Sequence, residues 1–126
     1  MLTVAKVLIV NADGRVLVVR RSKTAPVRAL TWDFPGGIVE TGEIPAQAAV
    51  REAEEETGLE IKVVDPVHIS HEPFVTTLTF RATVAQPKVS LSYEHDLHKW
   101  VRTNDIAALD LPESYKEAAA VGLAGI

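Results

Sequence analysis

Two short runs of apolar, largely β-branched residues open the chain. They lie at Val4–Val10 and Arg15–Arg20 and are separated by Asn11–Gly14, a segment of residues that favour turns. Strand-like runs on either side of an Asn, Asp and Gly turn are typical of a β-hairpin. The pattern therefore predicts that the fold begins with two antiparallel strands.

The pattern of apolar positions changes to a helical one after Pro45. Proline is favoured at the first position of a helix, and Gly58 supplies the left-handed residue at which helices end. The residues between them are almost all good helix formers, although Ile44 stands where a capping Ser, Thr or Asp is expected. On a 3.6-residue period one side carries small side chains, so it can lie close against a sheet. These residues are Ala46, Ala49, Val50, Ala53 and Thr57.

Further strands and a second helix are predicted after this helix. Ile61–Ser70 and Phe74–Val84 alternate or run apolar, and Glu72-Pro73 marks a turn between them. The remaining predicted elements are short strands at Val89–Leu91 and His98–Val101, a helical turn at Asp105–Leu109, and a helix from Ser114 to about Leu123. The resulting order, β-β-α-β-β-β-α, predicts an α/β fold.

Acidic residues border the small face of the first predicted helix. Glu52, Glu55 and Glu56 are related by i, i+3 and i, i+4 spacing and share one strip, whereas Glu54 points elsewhere. Carboxylates at this spacing repel each other, and a hard divalent cation such as Mg²⁺ would turn that repulsion into attraction. The alternative is a solvated acidic face on an ordinary helix.

The surroundings of this strip resemble the sequence motif of the Nudix hydrolase family. The motif runs Gly, five residues, Glu, seven residues, Arg-Glu, an aliphatic residue, any residue, Glu-Glu, any residue, Gly and an aliphatic residue. The chain matches it in order and without a gap at Gly37, Glu43, Arg51, Glu52, Glu55, Glu56, Gly58 and Leu59. Ala53 is smaller than the usual aliphatic residue, a departure that affects packing more than chemistry.

The resemblance implies an α/β/α sandwich with a mixed β-sheet, in which a loop-helix-loop motif carries the site. The length of the chain agrees with a single domain over residues 1–126. The resemblance also implies Mg²⁺, with Mn²⁺ as a substitute. The implied metal ligands are the carbonyl of Gly37 and the carboxylates of Glu52, Glu55, Glu56 and Glu94. In the family, Arg51 would orient the catalytic glutamates, and Glu43 would help to hold the loop or the metal site.

Glu94 is the candidate that lies outside the motif. It stands six residues before Trp100, and several Nudix pyrophosphohydrolases carry an additional metal-binding or general-base glutamate in the loop before such a tryptophan. Its alternative is an ordinary solvated loop acid. The resemblance therefore leaves Glu52, Glu55 and Glu94 as candidates for the general base.

Basic residues after the second predicted strand are candidates for binding substrate phosphate. Arg20, Arg21, Lys23 and Arg28 either form a phosphate clamp that faces the acidic helix or lie on a solvated basic loop. In Nudix proteins an arginine near Arg21 often contacts substrate phosphate. The residues expected to line the base pocket are Val4, Lys6, Phe74, Phe80 and Tyr93, with His95 as a neighbour.

Composition and charge exclude several classes of function. The net charge of −4 and the lack of a long basic run argue against a surface that binds nucleic acid non-specifically. The chain has no cysteine, which excludes disulfides, thiolate chemistry and zinc–cysteine sites. It shows no signal-peptide pattern and no apolar run of the roughly 18 residues that a membrane span needs. We therefore expect a soluble, cytoplasmic protein without a membrane partner.

The resemblance predicts a Mg²⁺-dependent pyrophosphohydrolase whose small-molecule substrate is a nucleoside diphosphate linked to another moiety. The short N-terminus favours a nucleoside triphosphate or a dinucleoside polyphosphate over ADP-ribose or a nucleotide sugar, because ADP-ribose pyrophosphatases commonly carry an extra domain. Two other classes stay open, namely a Nudix-fold sensor that binds a nucleotide without cleaving it and a structural domain with an acidic helix. The family often forms dimers, so a homodimer is also to be considered.

Overall fold

The computed structural model describes residues 1–85 and 88–126. The strands are β1 (Leu2–Val10), β2 (Val16–Arg21), β3 (Trp32–Asp33), β4 (Gly36–Ile38), β5 (His68–Glu72), β6 (Val75–Thr83) and β7 (His95–Val101). The helices are α1 (Pro45–Thr57), a 3₁₀ helix (Thr103–Ala108) and α2 (Glu113–Gly122). The order is the predicted one with two additional short strands before α1.

The central strand of the seven-stranded mixed sheet is β1. It pairs in parallel with β6 along its whole length, from Leu2 opposite Val75 to Val10 opposite Thr83. Along its other edge it pairs antiparallel with β4 near its start and with β2 at its end. β2 also pairs antiparallel with β3 and β7, and β5 pairs antiparallel with β6. The first half of β1 thus lies beside the glycines of β4, where the site is built.

Each face of the sheet carries a hydrophobic core, which confirms the predicted α/β/α sandwich. Side chains alternate along β1, so Ala5, Val7 and Ile9 pack with α1, whereas Leu8 and Val10 pack with α2 and the 3₁₀ helix. Three buried alanines of α1 form its contact with the sheet. The small residues predicted for this face therefore let the helix lie close to β1 and β4.

Helix α1 begins and ends where the sequence predicts. Pro45 is its first residue, and Gly58 follows its last with a φ of 71° and donates its N–H to the Glu54 carbonyl at 2.8 Å. Ile44 has no polar side chain for capping, and the Gln47 side chain accepts the Ile44 N–H at 3.2 Å. No helix in the described part of the chain is long and apolar enough to cross a membrane.

One predicted strand is shorter than expected. The sequence predicts a strand over Ile61–Ser70, but β5 begins only at His68. Pro66 lies inside the predicted run and has no N–H to donate to a ladder, which explains the late start. Leu59 and Ile61 are buried against α1 all the same. The apolar pattern of Ile61–Ser70 therefore predicts correctly that residues of this segment are buried. It predicts incorrectly that the whole segment pairs as a strand.

The described segment Val89–Leu91 caps a helix instead of joining the sheet as predicted. The Ser90 N–H donates to the Thr57 carbonyl at 2.8 Å, and the Ser92 N–H donates to the Glu56 carbonyl at 3.2 Å. These carbonyls belong to the last turn of α1, where carbonyl groups have no hydrogen-bond partner within the helix. The segment thus fixes the end of α1 that carries Glu56.

The two strands absent from the prediction are β3 and β4. They are two and three residues long and lie on either side of Pro35, so the local sequence indicates a turn. Each is held by pairing with a distant partner, β3 with β2 and β4 with β1. The formation of strands this short depends on their pairing partners. Two or three residues are too few to show the alternating apolar pattern of a strand in the sequence.

Candidate active site

A cavity of about 580 Å³ lies between the first half of β1, the loop after β2 and one side of α1. Alternation along β1 places Leu2, Val4 and Lys6 on the face that lines it. Glu52 and Glu56 of α1 line it next to the start of β4. A cavity of this size is in the range that small-molecule ligands occupy.

Two glutamates of α1 lie against the glycines of β4. Glu56 Oε1 accepts the Gly36 N–H at 2.7 Å. The carboxylate of Glu52 is so close to Gly37 that a Cβ added there would come within 2.6 Å of the carboxyl carbon. Glycine at position 37 therefore leaves the room that the Glu52 carboxylate occupies.

Arg51 holds a group of carboxylates on the outer side of the site, and we name it with Glu40, Glu43, Glu52 and Glu55 the Arg51 cluster. Its Nε and Nη2 donate to the two oxygens of Glu43 at 2.7 and 3.0 Å. Its Nη1 donates to Glu52 Oε1 at 2.8 Å and to Glu55 Oε2 at 3.5 Å. These bonds from Arg51 lower the pKa of Glu43 to about 2. The cluster brings the carboxylates of Glu52 and Glu55 to one donor nitrogen.

A second group of charges lies at the deep side of the cavity, and we name Lys6, Arg21, Asp33, Glu56 and His95 the Lys6 cluster. Lys6 Nζ lies 3.1 Å from Asp33 Oδ1 and donates to Oδ2 at 3.2 Å. Arg21 Nη1 donates to the same Oδ2 at 3.2 Å. His95 Nδ1 lies 3.9 Å from Glu56 Oε2. All of these residues except Arg21 are buried.

Burial controls protonation in the Lys6 cluster. Desolvation raises the pKa of Glu56 to about 8, although Lys6 and the Gly36 N–H act in the opposite direction. Burial also lowers the pKa of His95. Burial alone would lower the pKa of Lys6, but the charges of Asp33, Tyr115 and Glu56 and the hydrogen bond to Asp33 together outweigh it, so this pKa lies above its ordinary value. Burial therefore favours the neutral form of Glu56.

The carboxylates of Glu52 and Glu56 suit a Mg²⁺ ion that takes its other ligands from water and substrate. Among residues 1–85 and 88–126, no three His, Cys, Asp or Glu side chains group closely enough to hold a metal ion by themselves. Glu52 and Glu56 nevertheless line one cavity next to Gly37. Mg²⁺ typically takes one or two carboxylates and completes its octahedron with waters and substrate phosphates. Two carboxylates beside an open cavity suit that coordination.

Several predicted site residues do meet at the cavity. Arg21, Tyr93 and Glu94 line it together with Gly37 and the two glutamates of α1. Tyr93 is 89% exposed and lies at the rim. The Glu94 carbonyl accepts the Ser22 N–H at 3.0 Å, which joins the loop before β7 to the loop after β2.

Other predicted site residues lie away from the cavity. Arg28 Nη2 donates to Asp110 Oδ1 at 3.3 Å, outside the lining. Phe74 is in the turn between β5 and β6, with a φ of 69° and 80% exposure, while Phe80 is buried in the core beside α1. Glu55 lies on an outer groove of about 840 Å³ between α1 and residues 61–63. Among the described residues, Arg51 is the contact that links Glu55 to the site.

Sequence reasoning did not identify Asp33 and Tyr115 as cavity residues. Tyr115 of α2 stacks on Phe34 with ring centroids 6.3 Å apart, and its ring centroid is 5.7 Å from Lys6 Nζ. The signal in the sequence that points to a buried acid is Lys6, because a lysine within an apolar strand needs a buried partner. The sequence does not say which acid that partner is, since Asp33 is 27 residues away.

Comparison with known proteins finds several similar curated proteins. A MutT-like protein from Streptomyces ambofaciens is 28% identical over 102 residues, which cover 79% of this chain and 63% of that protein. The 8-oxo-dGTP diphosphatase of Escherichia coli K12 is 39% identical over 69 residues, which cover 55% of this chain and 49% of that protein. The chain thus spans less than two thirds of the length of these curated relatives.

The similarity extends over most of the fold. The solved structure of the MutT protein from Methanosarcina mazei Go1 has a TM-score of 0.78 and 29% identity to this chain, and the match covers 94% of this chain and 89% of that one. The sequence model of the NUDIX domain matches residues 2–121. Because that match covers nearly the whole chain, the protein belongs to the NUDIX domain family.

Proposed function

We propose that this protein is a Mg²⁺-dependent pyrophosphohydrolase that cleaves a nucleoside diphosphate linked to another moiety. The observation that supports this most is that Glu52 and Glu56 line one cavity beside Gly37, in a chain of the NUDIX family. The family generally uses divalent metal ions, typically Mg²⁺. We also propose that residues 1–126 act as one domain, since the described cores lie on two faces of one sheet.

The proposed metal ligands are the Gly37 carbonyl and the carboxylates of Glu52, Glu55 and Glu56, with Glu94 as a further ligand or base. When bound, Mg²⁺, or Mn²⁺ in its place, would neutralise the diphosphate and lower the pKa of a coordinated water. Arg51 Nη1 holds the carboxylates of Glu52 and Glu55 in one orientation. Arg21 lines the same cavity and can contact substrate phosphate.

The proposed reaction is a displacement at phosphorus, which depends mostly on positioning and charge neutralisation. The oxygen of water forms a bond to one phosphorus of the diphosphate. The bond from that phosphorus to the bridging oxygen breaks, and the bridging oxygen leaves on the other phosphate. A carboxylate oxygen of Glu52, Glu55 or Glu94 accepts the proton of the water.

The substrate class is proposed from the cavity and from the relatives. Curated relatives are named for RNA, 8-oxo-dGTP, CTP and ADP-ribose, so the family relationship alone does not select one. A cavity of about 580 Å³ holds one nucleotide-sized ligand. The cavity accommodates the nucleotide end of each of these substrates. As the sequence resemblance favours, we propose a nucleoside triphosphate or a dinucleoside polyphosphate, ahead of ADP-ribose or a nucleotide sugar.

The test is a hydrolysis assay with nucleoside triphosphates, dinucleoside polyphosphates, ADP-ribose and nucleotide sugars, each with Mg²⁺ and with a chelator. Metal-dependent release of nucleoside monophosphate from one class supports the proposal and names the substrate. Nucleotide-dependent stabilisation without product in any class would contradict it and favour a nucleotide sensor. Neither product nor stabilisation would favour a structural domain.

A further inference from the structure

Lys6 is a charged residue within the central strand of the sheet, and nearly all of it is buried. It is 6% exposed, although it lines the cavity. Taking an ammonium group out of water costs free energy that only close partners offset. The proposed reaction makes no use of this ammonium group. Its contacts with the backbone indicate a different role.

The Lys6 ammonium group holds the short connection between β3 and β4, which we call the Pro35 connection (residues 34–36). Its Nζ donates to the Phe34 carbonyl at 3.3 Å and to the Gly36 carbonyl at 3.5 Å, and also to Asp33 Oδ2 at 3.2 Å. An ammonium group has three N–H donors, so these contacts use its capacity fully. The two carbonyls belong to the peptide groups directly before and after the one that joins Pro35 to Gly36.

The peptide group between these two contacts binds Glu56. Its N–H, on Gly36, donates to Glu56 Oε1 at 2.7 Å, and its C=O, on Pro35, accepts the Val7 N–H at 2.8 Å. Lys6 therefore fixes the peptide groups on both sides of this one, and β1 fixes its carbonyl. The direction of the Gly36 N–H then determines where the Glu56 carboxylate lies.

Gly36 allows the Lys6 side chain to pass directly along the Pro35 connection. A Cβ added at Gly36 would lie only 2.9 Å from Lys6 Cδ. The φ of 141° at this residue is also one that side chains other than glycine rarely adopt. Lysine at position 6 and glycine at position 36 thus fit together, and this fit brings the ammonium group to the two carbonyls.

We propose that Lys6 is a positioning residue that holds the Pro35 connection so that the Gly36 N–H orients the Glu56 carboxylate for a divalent cation, an inference that rests on the proposed function. Groups that orient metal ligands typically contribute about 10–100-fold to metal affinity. The positive charge of Lys6 by itself repels a cation at Glu56. The charge of Lys6 and its hydrogen bonds therefore predict opposite effects on metal affinity when Lys6 is replaced.

The experiment measures the binding of Mn²⁺ alone, without nucleotide, by electron paramagnetic resonance of the free ion. Lys6→Met should bind Mn²⁺ at least about 10-fold more weakly than the wild type, although it removes a positive charge. Lys6→Met/Asp33→Leu leaves the net charge of the site unchanged and should show a similar loss. Replacing a whole buried ion pair is often nearly neutral for stability, so this double variant separates positioning from a role in stability alone.

Arg20→Met/Asp96→Leu is the matched control. It also removes one cation and one carboxylate, which are joined by hydrogen bonds of 2.8 and 2.9 Å. Neither residue belongs to the described lining of the cavity. The control variant should therefore bind Mn²⁺ with the affinity of the wild type.

The outcomes separate this inference from the proposed function. Wild-type Mn²⁺ affinity in the folded double variant, or tighter binding in Lys6→Met, would overturn the inference, because Lys6 would then act through stability or charge alone. A wild type that binds no Mn²⁺ would overturn it as well. Weaker binding in both Lys6 variants, with an unchanged control, supports the inference even if no nucleotide is hydrolysed. In that case only the proposed hydrolysis fails.

Discussion

The Arg51 cluster and the Lys6 cluster each combine cations with several carboxylates, yet they differ in their exposure to water. In the Arg51 cluster the side chains of Arg51 and Glu55 are 27% and 60% exposed. In the Lys6 cluster the side chains of Lys6 and Asp33 are 8% and 7% exposed. Water screens the first set of charges, while the second set depends on direct contacts between its members.

This difference in exposure indicates which cluster can exchange its contacts during catalysis. Arg51 divides its donors among several carboxylates at the surface, so Glu52 and Glu55 can exchange Arg51 for a metal ion at small cost. Lys6 and Asp33 cannot separate without leaving an unpaired buried charge. We therefore expect the Arg51 side, together with Glu56 and Arg21, to carry the chemistry, and Lys6 and Asp33 to hold the shape of the cavity.

The largest expected effect on stability is at Lys6. Lys6→Met leaves Asp33 buried with Arg21 as its cationic partner and should lower the free energy of unfolding by roughly 3–5 kcal/mol. Arg51→Met removes partly buried ion pairs, with Arg51 27% and Glu43 15% exposed, and should cost less, about 1–2 kcal/mol. Urea denaturation of both variants measures the contrast. Equal losses in the two variants would contradict the distinction between the clusters.

The double variant Lys6→Met/Asp33→Leu sharpens this test. Replacing a whole buried ion pair by apolar residues is often nearly neutral, so the double variant should regain most of the stability that Lys6→Met loses. The free energy of unfolding from the same urea denaturation provides the measurement. A double variant no more stable than Lys6→Met would show that Lys6 stabilises through its carbonyl contacts.

The second largest effect is on turnover at Glu55. Glu55→Gln removes a proposed metal ligand and should lower kcat by at least about 10²-fold with an unchanged melting temperature. Glu54→Gln is the matched control, because Glu54 is exposed on the same outer groove as Glu55 and, in the described part of the chain, makes no hydrogen bond to Arg51. Near-normal kcat in Glu55→Gln would exclude Glu55 as a ligand.

A smaller effect is expected at Gly37. An alanine Cβ there would meet the Glu52 carboxyl carbon at 2.6 Å, and the flexible Glu52 side chain would have to move. Displacing one carboxylate should lower kcat roughly 10-fold. Gly42→Ala is the comparison, since a Cβ at Gly42 meets nothing within 4 Å but the φ of 83° strains an alanine, so this variant disturbs the loop without displacing Glu52. A larger loss of kcat in Gly42→Ala would mean that loop conformation matters more than the position of Glu52.

The smallest effect concerns acid stability at Glu43. Its pKa is lowered from 4.5 to about 2 by hydrogen bonds from Arg51, so the folded protein binds this proton less readily than the unfolded chain. Glu43 then contributes stability above pH 4.5 and loses that contribution as the pH falls through about 2. The stability difference between wild type and Glu43→Gln should be constant above pH 4.5 and shrink as the pH falls from 4.5 to about 2. A difference independent of pH would disprove the pairing with Arg51.

The sequence predicts the Arg51 side well because its signals are local. Pro45 and Gly58 mark the ends of α1, but the predicted strip of glutamates is divided: Glu52 and Glu56 line the cavity, whereas Glu55 lies with Glu54 on the outer groove. Helix geometry then determines their neighbours without knowledge of the rest of the fold. The sandwich architecture follows from the order of elements and from the family motif.

The Lys6 side could not be predicted because its members come from distant parts of the chain. Lys6 is in β1, Asp33 in β3, His95 in β7 and Tyr115 in α2. Their meeting depends on how the strands pair, which the local pattern does not determine. Likewise, an arginine in a basic loop can face the cavity, as Arg21 does, or pair elsewhere with an acid remote in sequence.

The most direct test of the central claim is hydrolysis of the preferred nucleotide by wild type and Glu52→Gln, each with Mg²⁺ and with a chelator. We predict Mg²⁺-dependent release of nucleoside monophosphate by the wild type and at least about a 10²-fold lower rate in Glu52→Gln, with its fold intact. Cleavage that persists in the chelator, or an undiminished rate in Glu52→Gln, would contradict the assignment of this cavity as a metal-dependent active site.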